Sequence, residues 1–363
     1  MNGRKMCVIG GGNIGAYVAV CLKKYGFKTN MYVQSPEKLN KELSVYDGDK
    51  DKVFSEEIDL ITNDIKEALE DVSCVFITYP AFLFPSLANL LESYISSDMT
   101  LCFLPGTGGV EFAFKNCIDK GVKIFGLQRV PVIARYKDFG RLVYVSGKKS
   151  CLYLGSINAN TVAINEFSNF LVCLFETKCE ILSNYLCVTL TPSNPILHTA
   201  RLYTMFNDYH SGIYYPRNFL FYEEWTNESS EELIKCDSEL QKLCSNIKEL
   251  DLASVISLPL YYESEDSFRL TNKIKSIEAF KGIKSPMIEC ENGWIPDLKS
   301  RYFTADFPYG LKIIIDIAKL FLVDTPELNK LWNWFCNLSG AGSEIETFCL
   351  QLSKEDFLKI YTN

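Results

Sequence analysis

Side chains that can trade a proton near neutral pH are scarce here, because only two of the 363 residues are histidines, His198 and His210. His198 lies in TPSNPILHTARLY, where Asn194 suits a helix cap and Pro195 a first turn, so the ring falls one turn into a helix. That position serves a catalytic group or a satisfied core histidine equally well. His210, in NDYHSG beside a chain break, reads as a surface residue. Much later, SRYFTADFPYGL sets Arg301 five residues before Asp306 in a mostly apolar stretch. The two could pair with each other or cap a helix, since buried charges need partners. Alternatively, Arg301 offers a planar fork to a substrate carboxylate while Asp306 orients His198.

A second chemical signal stands at the start of the chain. Gly10-x-Gly12-x-x-Gly15 follows the strand KMCVI directly and opens a helix, with Asn13 and Ile14 between the last two glycines. Glycines there permit a tight turn, close approach of backbone to a pyrophosphate and close helix packing, while the free helix amides favour the anion. The expected ligand is a nicotinamide dinucleotide. The next strand should end in a carboxylate for the ribose 2′-hydroxyl of NAD, yet Gln34 and Ser35 occupy that place, with Lys38 close behind. A hydroxyl and an ammonium can hold a 2′-phosphate, which tips the expectation from NAD toward NADP, although a plain solvated loop would accept either. TYPA, with Pro80 and Ala81, and PGTGG at residues 105–109 end later strands where the nicotinamide half should lie, or are turns that start helices.

These groups need a scaffold, and the pattern supplies one. Short β-branched runs alternate with amphipathic stretches through the first half, which predicts an α/β Rossmann domain over residues 1–190. Residues 130–154 suggest an antiparallel extension, and a helix is expected at about 160–175. Residues 191–363 read as an all-helical domain for substrate and catalysis. Leu233, Cys236, Leu240, Leu243, Ile247 and Leu250 form one stripe, with Ser229 or Ser230 as its cap; Thr325-Pro326 starts another helix and Gly340 stops it. The apolar run 311–323 contains Lys312, Asp316 and Lys319 and is too short for a bilayer, so it reads as a core helix. With 37 basic against 45 acidic residues, no basic field exists for tracking nucleic acid. Fourteen cysteines without a C-x-x-C pair sit mostly in apolar runs, pointing to reduced thiols in the cytoplasm and to no metal site. A homodimer is compatible with the sequence, which does not fix the assembly.

VIGGGNIG, TYPAF, LPGTGG, NPILHTARLY and RYFTADFPYG together resemble the opine dehydrogenases, the octopine and nopaline dehydrogenase group, over nearly the whole chain to about Gly340. The resemblance implies an NAD(P)H-dependent enzyme that joins a 2-oxo acid to the amino group of an amino acid by reducing an imine. It implies His198 as the acid/base, Asp306 as its partner and Arg301 as the anchor of the oxo-acid carboxylate. It also implies a substrate-binding glutamine at Gln128 in GLQRVP. Two alternatives stand beside it. One is a ketopantoate-type reductase needing no amine, against which the absence of a lysine at position 198 counts; the other is a non-catalytic NAD(P)-binding sensor. The aromatic-rich segment 206–225, with Arg217, does not identify the amine.

Overall fold

The computed structural model describes residues 4–340 and 352–362. They form two compact units, Met1–Thr189 joined by Ile360–Asn363, and Leu190–Lys359.

The first unit is built on an eight-stranded sheet. Its parallel part comprises β1 (Lys5–Ile9), β2 (Lys28–Tyr32), β5 (Leu60–Thr62), β6 (Val72–Ile77), β7 (Thr100–Phe103) and β8 (Lys123–Leu127). With β11 (Cys151–Ile157) and β12 (Lys178–Ile181) the order is β12-β11-β8-β7-β6-β1-β2-β5. β11 runs antiparallel to β8, pairing Leu154 with Leu127. The polar stretch around DGDKDK, which carries little strand signal, forms β3 (Glu42–Asp47) and β4 (Lys52–Glu57). These join β9 (Val132–Asp138) and β10 (Leu142–Lys148) in a separate sheet of order β4-β3-β10-β9. Part of the expected antiparallel extension therefore leaves the main sheet.

That second sheet explains the glycine-loop helix, Asn13–Lys24, in which every residue from Gly15 to Leu22 is buried. A helix apolar all round must be covered on more than one face. Here β1, β2 and β6 contact it from the main sheet, and β3, β4, β9 and β10 from the other. The helix Thr161–Phe175 is capped by the Asn160 side chain, which accepts from Ala163 N–H. The chain's last described turn returns to this unit, where the Tyr361 hydroxyl donates to Glu111 Oε1 at 2.8 Å.

Among its described residues the second unit is helical apart from a hairpin, β13 (Met287–Cys290) with β14 (Gly293–Pro296), that its sequence pattern did not suggest. The helix Asn194–Phe206 packs along Asn227–Asn246, and Pro326–Ser339 packs on both. Thr226 caps the long helix; Ser229 and Ser230 lie inside it, because their hydroxyls are used by Thr204, Arg201, Trp225 and Thr271. Lys312 and Asp316 in the helix Lys312–Leu320 are buried and paired at 2.5 Å, which lets so apolar a run carry two charges.

Candidate active site

In the first unit, the glycine loop crosses between the ends of β1 and β2. Gly10 has φ +120°, and a Cβ on Gly15 would lie 1.9 Å from the Gly10 carbonyl oxygen, so both are fixed by the turn itself. Gly12 differs, since a Cβ there would meet nothing within 4 Å. Its freedom from packing leaves the close approach of a ligand as the reason for glycine. A cavity of about 390 Å³ opens at this point, lined by Gly10, Gly12, Ser35, Lys38, Pro80 and Phe139 among others. Lys38 makes no ion pair among the described residues, so its ammonium remains available there. The turn, the open glycine and the cavity fit a nicotinamide dinucleotide.

Asn13 and Ile14 do not line this cavity. The Asn13 Oδ1 accepts the Tyr136 N–H at 2.8 Å, and Ile14 packs against the core. Ala81 opens a short turn of helix after Pro80 and packs against Gly108, where a Cβ would come within 2.4 Å. Gln128, just beyond β8, is buried and donates its side-chain amide to the Cys187 carbonyl at 2.9 Å.

In the second unit, the helix from Asn194 places His198 one turn in, buried. Its Nδ1 lies 2.7 Å from Asp306 Oδ2 and its Nε2 2.8 Å from the Tyr222 hydroxyl. The Tyr302 ring rests against the imidazole at 4.5 Å and Phe221 meets it edge-on at 5.4 Å. Asp306 thus pairs with the histidine, while the exposed Arg301 side chain makes no ion pair or hydrogen bond among the described residues. The mutual Arg301–Asp306 bridge that the spacing allowed is not formed. The two residues are held apart in role by the backbone: Arg301 begins a helical turn capped by Ser300, and Asp306 precedes a π-type turn over Phe307–Leu311.

Tyr222 and Tyr302 were not among the residues singled out from sequence. Tyr222 lies in the aromatic-rich segment, but no spacing rule marks it. Its placement comes from Arg201, whose buried guanidinium donates to the Phe221 and Glu224 carbonyls and to Ser229 Oγ, pinning the loop. Burial lowers the Arg201 pKa to about 10, and it still carries its charge at neutral pH. Burial pushes the Tyr222 phenol well above its ordinary value, so it remains protonated. Arg217 is taken up by a bidentate pair with Glu224 at 2.8 and 2.6 Å, which drops the Glu224 carboxyl to about 2. His210 is exposed. No described helix is long and apolar enough to cross a membrane.

A glycine-loop sheet and a helical unit that buries a histidine–carboxylate pair define a nicotinamide-dinucleotide-dependent oxidoreductase. Comparison with known proteins narrows the class. Residues 181–339 match the family model for the α-helical domain of NAD/NADP octopine/nopaline dehydrogenase, and residues 5–120 that for the N-terminus of NAD-dependent glycerol-3-phosphate dehydrogenase. Octopine dehydrogenase of Pecten maximus is 25% identical over 356 residues, covering 91% of this chain and 89% of its own. Tauropine dehydrogenase of Arabella iricolor is 24% identical over 298 residues, covering 77% and 75%. A solved octopine dehydrogenase with NADH and L-arginine shares the fold, with a TM-score of 0.81, 24% identity and coverage of 93% and 89%. The helical-domain match and these relatives together support the opine dehydrogenase family and an NAD(P)-dependent oxidoreductase acting on CH–NH bonds.

Proposed function

We propose that His198, Asp306 and Arg301 carry out the family reaction in this chain, the NAD(P)H-dependent reductive condensation of a 2-oxo acid with the amino group of an amino acid. The observation that supports these roles is their division of labour: Asp306 engages His198 at 2.7 Å, while Arg301 stays exposed and makes no ion pair among the described residues. Arg301 holds the oxo-acid carboxylate in its planar fork. Loss of water between the carbonyl and the amine leaves an imine, and His198 gives a proton as that carbon–nitrogen bond is reduced. Asp306 compensates the imidazolium charge and fixes the ring. Tyr222 can donate to the neutral ring or accept from the charged one by rotating its O–H, so it supports both states. The nicotinamide, when bound, supplies the hydride.

Gly10, Gly12 and Gly15, with Asn13 and Ile14, shape the dinucleotide loop, and Pro80 and Ala81 form the neighbouring strand end. Ser35 and the unpaired Lys38 favour NADP over NAD. Gln128 enters as a substrate contact at a strand's carboxyl end, where ligands of such sheets bind. A reducing cytoplasm belongs to the same proposal: no disulfide joins the described cysteines to one another, and burial pushes Cys7 up to about 12. The deciding experiment is a matrix of 2-oxo acids against amino acids and other amines, following NADH and NADPH oxidation separately. Rate that requires both substrates supports the proposal. Equal rate with an oxo acid alone indicates a simple keto-acid reductase, and binding without turnover indicates a sensor.

A further inference from the structure

The hairpin between β9 and β10 ends in Phe139, whose side chain stands 62% exposed at the tip while lining the cavity beside Ser35 and Lys38. A phenylalanine so placed costs hydrophobic free energy unless something covers it. Its backbone is nonetheless held from two sides. Tyr136 donates its N–H to Asn13 Oδ1 at 2.8 Å and its hydroxyl to the Gly11 carbonyl at 3.1 Å, tying the hairpin to the glycine loop. Gly140, at φ +76°, accepts the Asn40 N–H at 2.8 Å, and a Cβ there would lie 2.1 Å from the Lys38 carbonyl oxygen. The tip is therefore locked onto the loop that follows β2, and the Tyr136 ring supports Phe139 at 4.9 Å.

The end of β2 is the ribose side of a glycine-loop site, so the base facing this wall is the adenine, not the nicotinamide. We propose that Phe139, delivered by the added four-stranded sheet, is the platform on which the adenine of the dinucleotide stacks. This inference rests on the cofactor reading above and names the residue that binds the adenosine half. An aromatic face suits adenine because stacking needs no particular hydrogen-bond pattern and gives affinity without touching the reacting end.

The test is equilibrium binding of NADH, NADPH and ADP-ribose to wild type, Phe139→Ala and Phe139→Trp, with steady-state kinetics on reduced nicotinamide mononucleotide, which lacks the adenosine. By analogy with base–aromatic stacking elsewhere, Phe139→Ala should raise all three dissociation constants by roughly 5- to 150-fold, and Phe139→Trp should restore binding. The KM for the mononucleotide should not change between wild type and Phe139→Ala. An unchanged ADP-ribose affinity in Phe139→Ala would overturn the inference, whether or not its oligomeric state changed. So would an equal loss with the mononucleotide, which would mean a general collapse of the loop. A wild-type protein that bound neither NADH nor NADPH would instead overturn the cofactor reading beneath it.

Discussion

Replacing Asp306 by Asn keeps the side chain's shape and removes its charge, so it isolates what the carboxylate does for His198. In the structure the pair is 2.7 Å apart, the ring is buried, and the opposite nitrogen meets Tyr222 at 2.8 Å. The carboxylate can only accept, so it holds a proton on Nδ1 and leaves Nε2 to trade one. A hydrogen bond to a charged group contributes about 1.5–3 kcal/mol, so removing the charge from its acceptor should slow the proton-transfer step by a factor of about 10–150. Asn can also turn its amide N–H₂ toward Nδ1, which moves the ring proton to Nε2 and favours the unproductive tautomer. Both effects act in the same direction, so kcat should fall by about 100-fold, near the lower end of what a general acid provides. The assay is dinucleotide oxidation with saturating oxo acid and amine, alongside dinucleotide affinity, which should not move. Because Asp306 acts through the ring, adding Asp306→Asn to His198→Ala should cost almost nothing further. A single variant within threefold of wild type, or losses that simply multiply, would refute the reasoning.

Arg301→Lys should raise the oxo-acid KM about tenfold or more, because an ammonium lacks the planar fork, while thermal stability stays within about 0.5 kcal/mol at this exposed, unpaired position; an unchanged KM counts against the docking role. Glu111 is wholly buried, which pushes its carboxyl up to about 7 while the Thr189 and Tyr361 hydroxyls donate to it. The folded state then holds this proton more tightly than the unfolded state, so the group's contribution to stability is present at acid pH and is lost as pH rises from about 4.5 to about 7. Glu111→Gln should gain up to about 3 kcal/mol relative to wild type in urea unfolding at about pH 8 compared with about pH 5. The same difference at both values would show that burial does not govern this carboxyl.

The readily legible features were those governed by local rules. The glycine spacing, the βα rhythm and the Pro195 helix start are each set by a few adjacent residues, and the structure shows the corresponding loop, sheet and helix. The meeting of His198 with Asp306 spans 108 residues, and only the family motif suggested it beyond chemical plausibility. What escaped detection depended on long-range partners. β3 and β4 are polar on one face and owe their pairing to β10 and to the glycine-loop helix, so their own pattern is faint. Ser229 and Ser230 look like caps, yet tertiary hydrogen bonds draw them inside the helix and leave the capping to Thr226. Tyr222 gains its place from Arg201, 21 residues earlier, through bonds to backbone carbonyls that carry no sequence signature.

The hydroxyl that Tyr361 brings to Glu111 makes the polypeptide's covalent order a poor guide to where it can be cut. A truncated chain stopping after Thr189 would contain every strand of the dinucleotide sheet and still be incomplete, because residues 360–362 belong to the same compact body. The Glu111 carboxyl would then keep only its Thr189 contact and would sit nearer to water. Attempts to study the two halves separately would do better to splice this short tail back onto the first half through a linker than to trust the boundary seen in the linear map.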